Sequence, residues 1–298
     1  MSDFHQAVAD ISYHSSDEIL AHPHFATARM AFVESTLALY EDDPFLNRLL
    51  VEAGRLIIAT VILCLHVRYD EADRATWPTV RLLKESMAQF GLSSPRRIED
   101  LVARLVHSRF LEMAVPKTDR RVRILLPTEK LIAHDQDWLA AQYAPLHAMF
   151  PDPGYPLAVG RDPVFQRAQR LVAMSFFSLG AHIMASNPAM LIFLNRDAGM
   201  MPLIKLVQMA SAGEGASEGL SYADLGARFG VSRTHVRNLL QEAEQMELVS
   251  LTGRGGRYVR LLPSVLQAFD RFVADGMSGH DLLYQIALSQ MKGQPSAK

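Results

Sequence analysis

One short segment, residues 232–241, carries side chains that could bond to the edges of nucleic-acid bases. Its polar residues fall on one side of a predicted helix and comprise Ser232, Arg233, Thr234, His235, Arg237, Asn238 and Gln241. A guanidinium can donate two hydrogen bonds to guanine, and an asparagine or glutamine amide can pair with adenine in the same way. A serine at a helix N-terminus suits a phosphate oxygen. These residue types favour contact with double-stranded DNA.

The surrounding pattern predicts two short helices and a hairpin that would position this face. Ser221 and Asp224 form a capping box that begins the first helix, and Gly230 ends it. The second helix, capped by Ser232, has apolar residues at i, i+3, i+4 and i+7, which are Val236, Leu239, Leu240 and Ala243. Residues 248–251 and 258–261 follow as two predicted strands.

The tip of that hairpin, residues 252–257, is rich in glycine and carries Arg254 and Arg257. It lacks the strand–GxxxxGK[ST]–helix context of a phosphate-binding loop. A plain turn would explain the glycines alone. A basic wing along the DNA backbone or in a minor groove explains the arginines as well, and we therefore predict a wing.

An internal repeat extends the pattern to the whole chain. Four pairs of segments match in order at shifts of 136 to 140 residues: 22–25 with 162–165, 90–92 with 229–231, 98–105 with 236–243, and 125–128 with 261–264. The repeat predicts two modules, 1–150 and 157–298, separated by a segment rich in proline and glycine. Their winged helices would span about 76–130 and 201–263.

Each module has the same predicted order of elements. Long apolar helices at about 25–70 and 163–212 come first, and the stretch 171–194 is predicted to be a buried helix pair. Closing helices follow at 128–148 and 264–290, with Thr128 and Ser264 as their N-caps. The predicted fold is mainly α with small β-hairpin wings, and the long helices of the two modules would pack together as a pseudo-dimer.

The first module has a different face on its second short helix, residues 95–107. Arg96, Arg97 and Arg104 lie outward there, together with Glu99 and Asp100. A basic hairpin follows and carries Lys117, Arg120, Arg121 and Arg123.

The segment Thr118–Glu129 resembles the wing of the MarR family of winged helix-turn-helix transcriptional regulators. In that wing an aspartate, an arginine two positions later and a strand ending in Leu-Thr-Glu are the usual pattern. The resemblance covers residues 76–148 and implies that Asp119 fixes Arg121 for a backbone or minor-groove contact. It also implies that the flanking helices dimerise. The chain departs from the family in carrying two modules and in having Pro127 at the strand end.

Composition limits the other functions. The net charge is −2, which excludes a general polycation, but residues 96–123 and 228–260 form two basic islands. The one cysteine, Cys64, is predicted to be buried. The start of the chain does not read as a targeting leader, and the longest apolar run, 56–67, is too short for a bilayer of about 20 helical residues. We therefore expect a cytoplasmic, nucleoid-associated protein without a membrane partner.

These observations predict a sequence-specific transcriptional regulator that reads an asymmetric operator in double-stranded DNA. Two alternatives stay open: a plasmid-type replication initiator with tandem winged helices, and a winged-helix scaffold that binds proteins without reading DNA.

An enzyme is not expected, since His22 and His24 lack further metal ligands and no cofactor motif is present. The sequence leaves open further homodimerisation and a small-molecule effector. Such an effector could lie against Met174, Met184, Met190, Met200 and Met201, although core packing is the commoner role of such residues.

Overall fold

The computed structural model describes residues 11–88, 93–211, 221–256 and 258–293. In those residues the chain is mainly α-helical with two small antiparallel sheets of two strands each, as the sequence predicts. A 3₁₀ turn, Arg74–Thr76, lies between the fourth and fifth helices. The elements of the first half are α1 (Ser16–Ala21), α2 (Phe25–Tyr40), α3 (Pro44–Leu50), α4 (Ala53–Val67), α5 (Val80–Ala88), α6 (Pro95–His107), β1 (Leu111–Ala114), β2 (Ile124–Pro127) and α7 (Glu129–Met149).

The second half repeats this order of elements. It differs chiefly in a 3₁₀ turn, Met174–Phe176, which interrupts the helix equivalent to α2. Its elements are α8 (Pro156–Val159), α9 (Pro163–Ala173), α10 (Phe177–Ala185), α11 (Pro188–Leu194), α12 (Met200–Ser211), α13 (Tyr222–Phe229), α14 (Arg233–Gln245), β3 (Val249–Thr252), β4 (Tyr258–Leu261) and α15 (Pro263–Gly293).

The long apolar helices expected at 25–70 and 163–212 are broken into shorter ones. Pro44 and Pro188 each occupy the first turn of a new helix, where the missing N–H costs nothing. The Asp43 carboxylate caps α3 by accepting a hydrogen bond from the Leu46 N–H at 2.8 Å. The prediction of a buried helix pair at 171–194 is wrong for α10, which contains no buried residue.

The two halves contact each other reciprocally. Helix α1 of the first half packs on α15 of the second, and α8 of the second half packs on α7 of the first. In the same way α12 contacts α2, and α4 contacts α9. The closing helices α7 and α15 also touch, with the Tyr143 hydroxyl donating to the carbonyl of His280 at 2.8 Å. Reciprocal contacts of this kind are those of an approximate twofold arrangement within one chain.

The link from the second short helix to the hairpin is the same in both halves. Arg109 and Glu247 adopt positive φ angles of 60° and 55° directly after α6 and α14. The N–H of the following residue then donates back to a carbonyl of the helix: Phe110 to Leu105 at 2.8 Å, and Leu248 to Ala243 at 2.9 Å. The equivalence of these bonds supports the repeat found in the sequence.

Thr128 and Ser264 differ from their predicted role as side-chain caps. The Thr128 hydroxyl lies at the N-cap position of α7 but donates to the carbonyl of Arg109 at 2.8 Å. Helix α15 begins one residue earlier than predicted, at Pro263, and the Ser264 hydroxyl donates to the carbonyl of Glu247 at 2.6 Å. Both hydroxyls thus satisfy the carbonyl of the positive-φ residue that precedes the hairpin.

A charged pair joins the halves inside the core. The Arg170 guanidinium, on α9, donates to the Asp135 carboxylate of α7 at 2.5 and 3.0 Å. Gln166 donates a third hydrogen bond to the same carboxylate at 2.7 Å. Arg170 and Asp135 are 2 % and 4 % exposed, so each charge depends on the other for its neutralisation.

Cys64 lies on α4 and is completely buried, as predicted. Burial raises the pKa of its thiol to about 12, so the reactive thiolate does not form near neutral pH. Cys64 is therefore a packing residue.

Within the described ranges, no helix alone has the length and apolar composition needed to cross a bilayer, and two sharply bent helix pairs meet those criteria only jointly.

Candidate nucleic-acid interface

The two short helices of the second half, α13 and α14, form with the turn between them as the sequence predicts, and this segment is called the second helix–turn–helix below. Ser221 and Asp224 make both hydrogen bonds of the capping box at the start of α13, at 3.2 and 3.1 Å. Gly230 ends α13 in the left-handed conformation, with φ of 72°. The Ser232 hydroxyl then caps α14 by accepting from the N–H of His235 at 3.0 Å. Local hydrogen bonding therefore defines both ends of the turn.

Helix α14 separates a buried face from an exposed one. Its apolar stripe is at most 2 % exposed and consists of Val236, Leu239, Leu240 and Ala243. The predicted contact residues that are exposed are Ser232, Arg233, Thr234, Arg237, Asn238 and Gln241. His235 differs from this prediction, since it is half-buried and its Nε2 is enclosed without a hydrogen-bond partner in the described residues.

The turn before α14 is packed against the first half of the chain. A Cβ on Gly230 would lie 2.5 Å from the carbonyl oxygen of Pro44 and 2.9 Å from its Cα. Arg228, at the end of α13, pairs with Glu41 at 2.6 Å. The orientation of the second helix–turn–helix is thus set partly by α3.

We expect Gly230→Ala to destabilise the protein by about 2 kcal/mol or more, through a left-handed alanine and a clash with backbone that cannot rotate away. Gly255→Ala is the matched control, because Gly255 has the same φ of 72° but a Cβ there would meet nothing within 4 Å among the described residues. Urea unfolding at equilibrium measures both. Equal losses in the two variants would show that the turn is not tightly packed against α3.

The second hairpin pairs Val249 with Leu261 and Thr252 with Tyr258. Arg254 is exposed at its tip, whereas Arg257 lies outside the described residues. The Tyr222 hydroxyl, on α13, donates to the carbonyl of Gly256. This bond fixes the tip relative to the helices.

In the first half, α6 is likewise capped by a serine, but two of its arginines bind other groups of the protein. Ser94 caps the helix by accepting from the N–H of Arg97 at 3.4 Å. Arg96, Arg97 and Arg104 are exposed, as predicted. However, Arg97 lies 3.7 Å from the Glu52 carboxylate, and Arg104 donates to the carbonyl of Arg48 at 2.7 Å. Arg96 makes no salt bridge and no side-chain hydrogen bond of this kind with the described residues.

The first hairpin presents four exposed basic residues, Lys117, Arg120, Arg121 and Arg123. The Asp119 carboxylate accepts from the backbone N–H of Arg121 at 3.0 Å and from its Nε at 3.2 Å. These hydrogen bonds hold the pKa of Asp119 below its usual range. Arg74 donates to the same carboxylate at 2.9 Å. The aspartate therefore orients Arg121.

Sequence reasoning missed a chain of charges that connects α6 with α14. Arg97 reaches Glu52, which begins α4 and lies beside Arg55; Arg55 in turn pairs with Asp197 of the second half. Next to Asp197, the Arg196 guanidinium pairs with Glu242 of α14 at 2.6 Å. The sequence does contain a signal for this contact, because Glu52-Ala53-Gly54 matches Asp197-Ala198-Gly199 at a shift of 145 residues.

The backbone also joins the halves at this point. The Ala198 N–H donates to the carbonyl of Val51 at 2.7 Å, directly beside the Arg55–Asp197 pair. The charged chain and this bond place the starts of α4 and α12 against each other. These contacts connect the two exposed faces across the boundary between the halves.

Elsewhere in the described part of the chain, no three His, Cys, Asp or Glu side chains are grouped closely enough to hold a metal ion. Compared with protein-family models, with curated proteins and with solved structures, the chain shows no significant match to any of them.

Proposed function

We propose that this protein is a sequence-specific DNA-binding regulator of transcription, built as two winged helix-turn-helix modules in one chain. The order of three helices and a hairpin in each half supports this proposal: α4, α5, α6 and β1–β2 in the first, and α12, α13, α14 and β3–β4 in the second. In both halves the first of these helices contacts the second helix and the last strand.

The exposed face of α14 is the observation that carries the proposal. Arg233 and Arg237 have no acidic side chain within 4 Å among the described residues, unlike Arg196 and Arg228 of the same half. Both arginines are therefore available to fork onto guanine, with Asn238 and Gln241 beside them for adenine. The wing arginines would contact phosphate, which positions the protein without reading sequence.

The reciprocal packing of the halves supports a pseudo-dimer that places α6 and α14 in successive major grooves. Half-sites would then lie about 34–36 Å apart, one helical turn of DNA. The two faces differ. On α6, Arg96 is available for DNA while Arg97 and Arg104 contact other parts of the protein, whereas α14 presents two arginines and two side-chain amides. The operator is therefore asymmetric. Bound at a promoter, the protein would block polymerase sterically.

Selection of bound duplexes from random-sequence DNA tests this function. We expect one enriched site with two unlike halves, of which the half read by α14 is the more strongly specified. Binding should weaken by about a thousandfold or more between 50 and 200 mM salt, because each phosphate contact releases counterions. A perfect inverted repeat, or no enriched site together with no salt dependence, would contradict the proposal. Enrichment of iterated repeats would instead favour a replication initiator.

A further inference from the structure

A cavity of about 380 Å³ lies among the helices that join the two halves. Helices α2, α4, α9, α10, α11, α12 and α15 all contribute to its wall. The lining is mainly apolar and includes Phe32, Ile57, Phe177, Met184 and Met201. Its size falls within the range of about 300–1,000 Å³ typical of small-molecule sites. None of the residues assigned above to DNA contact lines it.

Helix α10, which lines the cavity, is packed less closely than its counterpart in α2. The corresponding part of α2 buries Phe32, Val33, Thr36, Leu37 and Tyr40, whereas α10 buries nothing. The wall also carries three glycines: a Cβ on Gly180, Gly276 or Gly279 would meet no described atom within 4 Å. The glycine positions of the wall therefore face open space.

Three polar side chains of the wall have atoms that are buried without a hydrogen-bond partner among the described residues. Gln169 is 0 % exposed, and neither atom of its amide meets a partner with full hydrogen-bond geometry among the described residues. The Tyr143 hydroxyl donates its proton to the carbonyl of His280 at 2.8 Å, which leaves its oxygen available to accept from the nearby Gln169 Nε2. The Gln169 Oε1 is therefore the atom of the amide that lacks a partner. The Thr36 hydroxyl and the His280 Nδ1 are the other such groups. Burying such a group without a partner is unfavourable, and native proteins contain few of them. Three around one cavity indicate that something else completes their hydrogen bonds.

The charges of the wall are already neutralised. Arg170 pairs with Asp135, and Asp275 pairs with Arg271 at 2.9 Å. The other two charged lining residues are also paired, Glu52 with Arg55 and Arg196 with Glu242. Burial, reinforced by Arg170, lowers the pKa of His280 to about 3, so its ring is neutral at physiological pH. A charged ligand would therefore enter without a free counter-charge, at a large desolvation cost.

We propose that the interhelical cavity binds one uncharged, mainly apolar small molecule, whose polar edge hydrogen-bonds to the side-chain amide of Gln169. The amide oxygen is the free acceptor, so a neutral molecule with an N–H at its polar edge, such as a lactam or a primary amide, is its complement. The proposal does not depend on DNA binding, because it rests on residues outside α6 and α14.

Two fluorescent dyes test the proposal on the full chain. N-phenyl-1-naphthylamine is neutral and apolar with one N–H, and 8-anilinonaphthalene-1-sulfonate is nearly the same molecule with an added negative charge. We expect the neutral dye to bind at least tenfold more tightly than the sulfonate. Equal affinity, or preference for the sulfonate, would overturn the assignment of an uncharged ligand.

Variants locate the site. Gly279→Phe should place a ring in the cavity and weaken binding of the neutral dye at least tenfold, while Gly279→Ala should leave the binding unchanged and the fold at least as stable. Gln169→Met keeps the volume but removes the amide, so binding should weaken about two- to tenfold, the range of one hydrogen bond. The melting temperature of this variant should not fall, because a buried amide oxygen without a partner is removed. This second variant keeps the test decisive if Gly279→Phe does not fold. Unchanged dye binding in both Gly279→Phe and Gln169→Met would overturn the proposal.

Discussion

Replacing Arg233 and Arg237 together with glutamate is expected to abolish specific DNA binding, with a loss of affinity of about a hundredfold or more. Each arginine that forks onto a base contributes about 1–3 kcal/mol of discrimination, and the introduced carboxylates would also repel phosphate. Both side chains are exposed on a helix whose stripe at 236–243 stays intact. Fold and stability should therefore be unchanged. Fluorescence anisotropy with the selected duplex measures the effect.

A matched variant separates this loss from a change of overall charge. Arg161 and Lys292 are exposed and lie outside both helix–turn–helix segments, so Arg161→Glu with Lys292→Glu alters the net charge by the same amount. We expect it to retain binding within a few-fold. If the α14 variant also retained its affinity, α14 would not be the reading element, and a scaffold function would be favoured.

The second large effect is expected in the core. Arg170→Met should lower the free energy of unfolding by about 3–5 kcal/mol, because it leaves the Asp135 carboxylate charged and without its guanidinium partner. Gln166 would be the remaining side-chain donor to that carboxylate among the described residues. Since the pair joins α9 of one half to α7 of the other, the loss should affect cooperative unfolding of the whole chain. Urea unfolding followed by circular dichroism measures it.

The double variant Arg170→Met with Asp135→Leu is the decisive comparison. Replacing both partners by apolar residues removes the lone charge, and such replacements are commonly neutral or stabilising. We expect it to recover most of the stability lost in the single variant. A single variant as stable as the double one would mean that the buried carboxylate finds another partner, and that the pair does not hold the halves together.

Much of the second helix–turn–helix could be predicted from the sequence because its determinants are local. A capping box, a glycine that tolerates positive φ and a serine cap act over three or four residues. The buried stripe of α14 follows from the helical period alone. The helix breaks at Pro44 and Pro188 also have a local cause, although long helices without a break were predicted there.

Other features depended on groups far apart in the chain. The hydroxyls of Thr128 and Ser264 turn to carbonyls 19 and 17 residues away. The charged chain through Glu52 and Asp197 forms only when the starts of α4 and α12 meet. His235 is polar and correctly placed in the helical period, yet neighbouring elements enclose part of its ring.

By itself, then, the sequence determined the short helices, the hairpins, their repeated order and most of the exposed face at residues 232–241 that prompted the interpretation as a DNA-binding protein. Caps, turns and periodicity are short-range, so they can be read along the chain. Only the tertiary structure decided how the halves interlock, which arginines of α6 are engaged, and that α10 leaves a cavity with Gln169 in its wall. Those outcomes depend on groups that lie 45 residues or more apart in the chain, whose meeting no local pattern records.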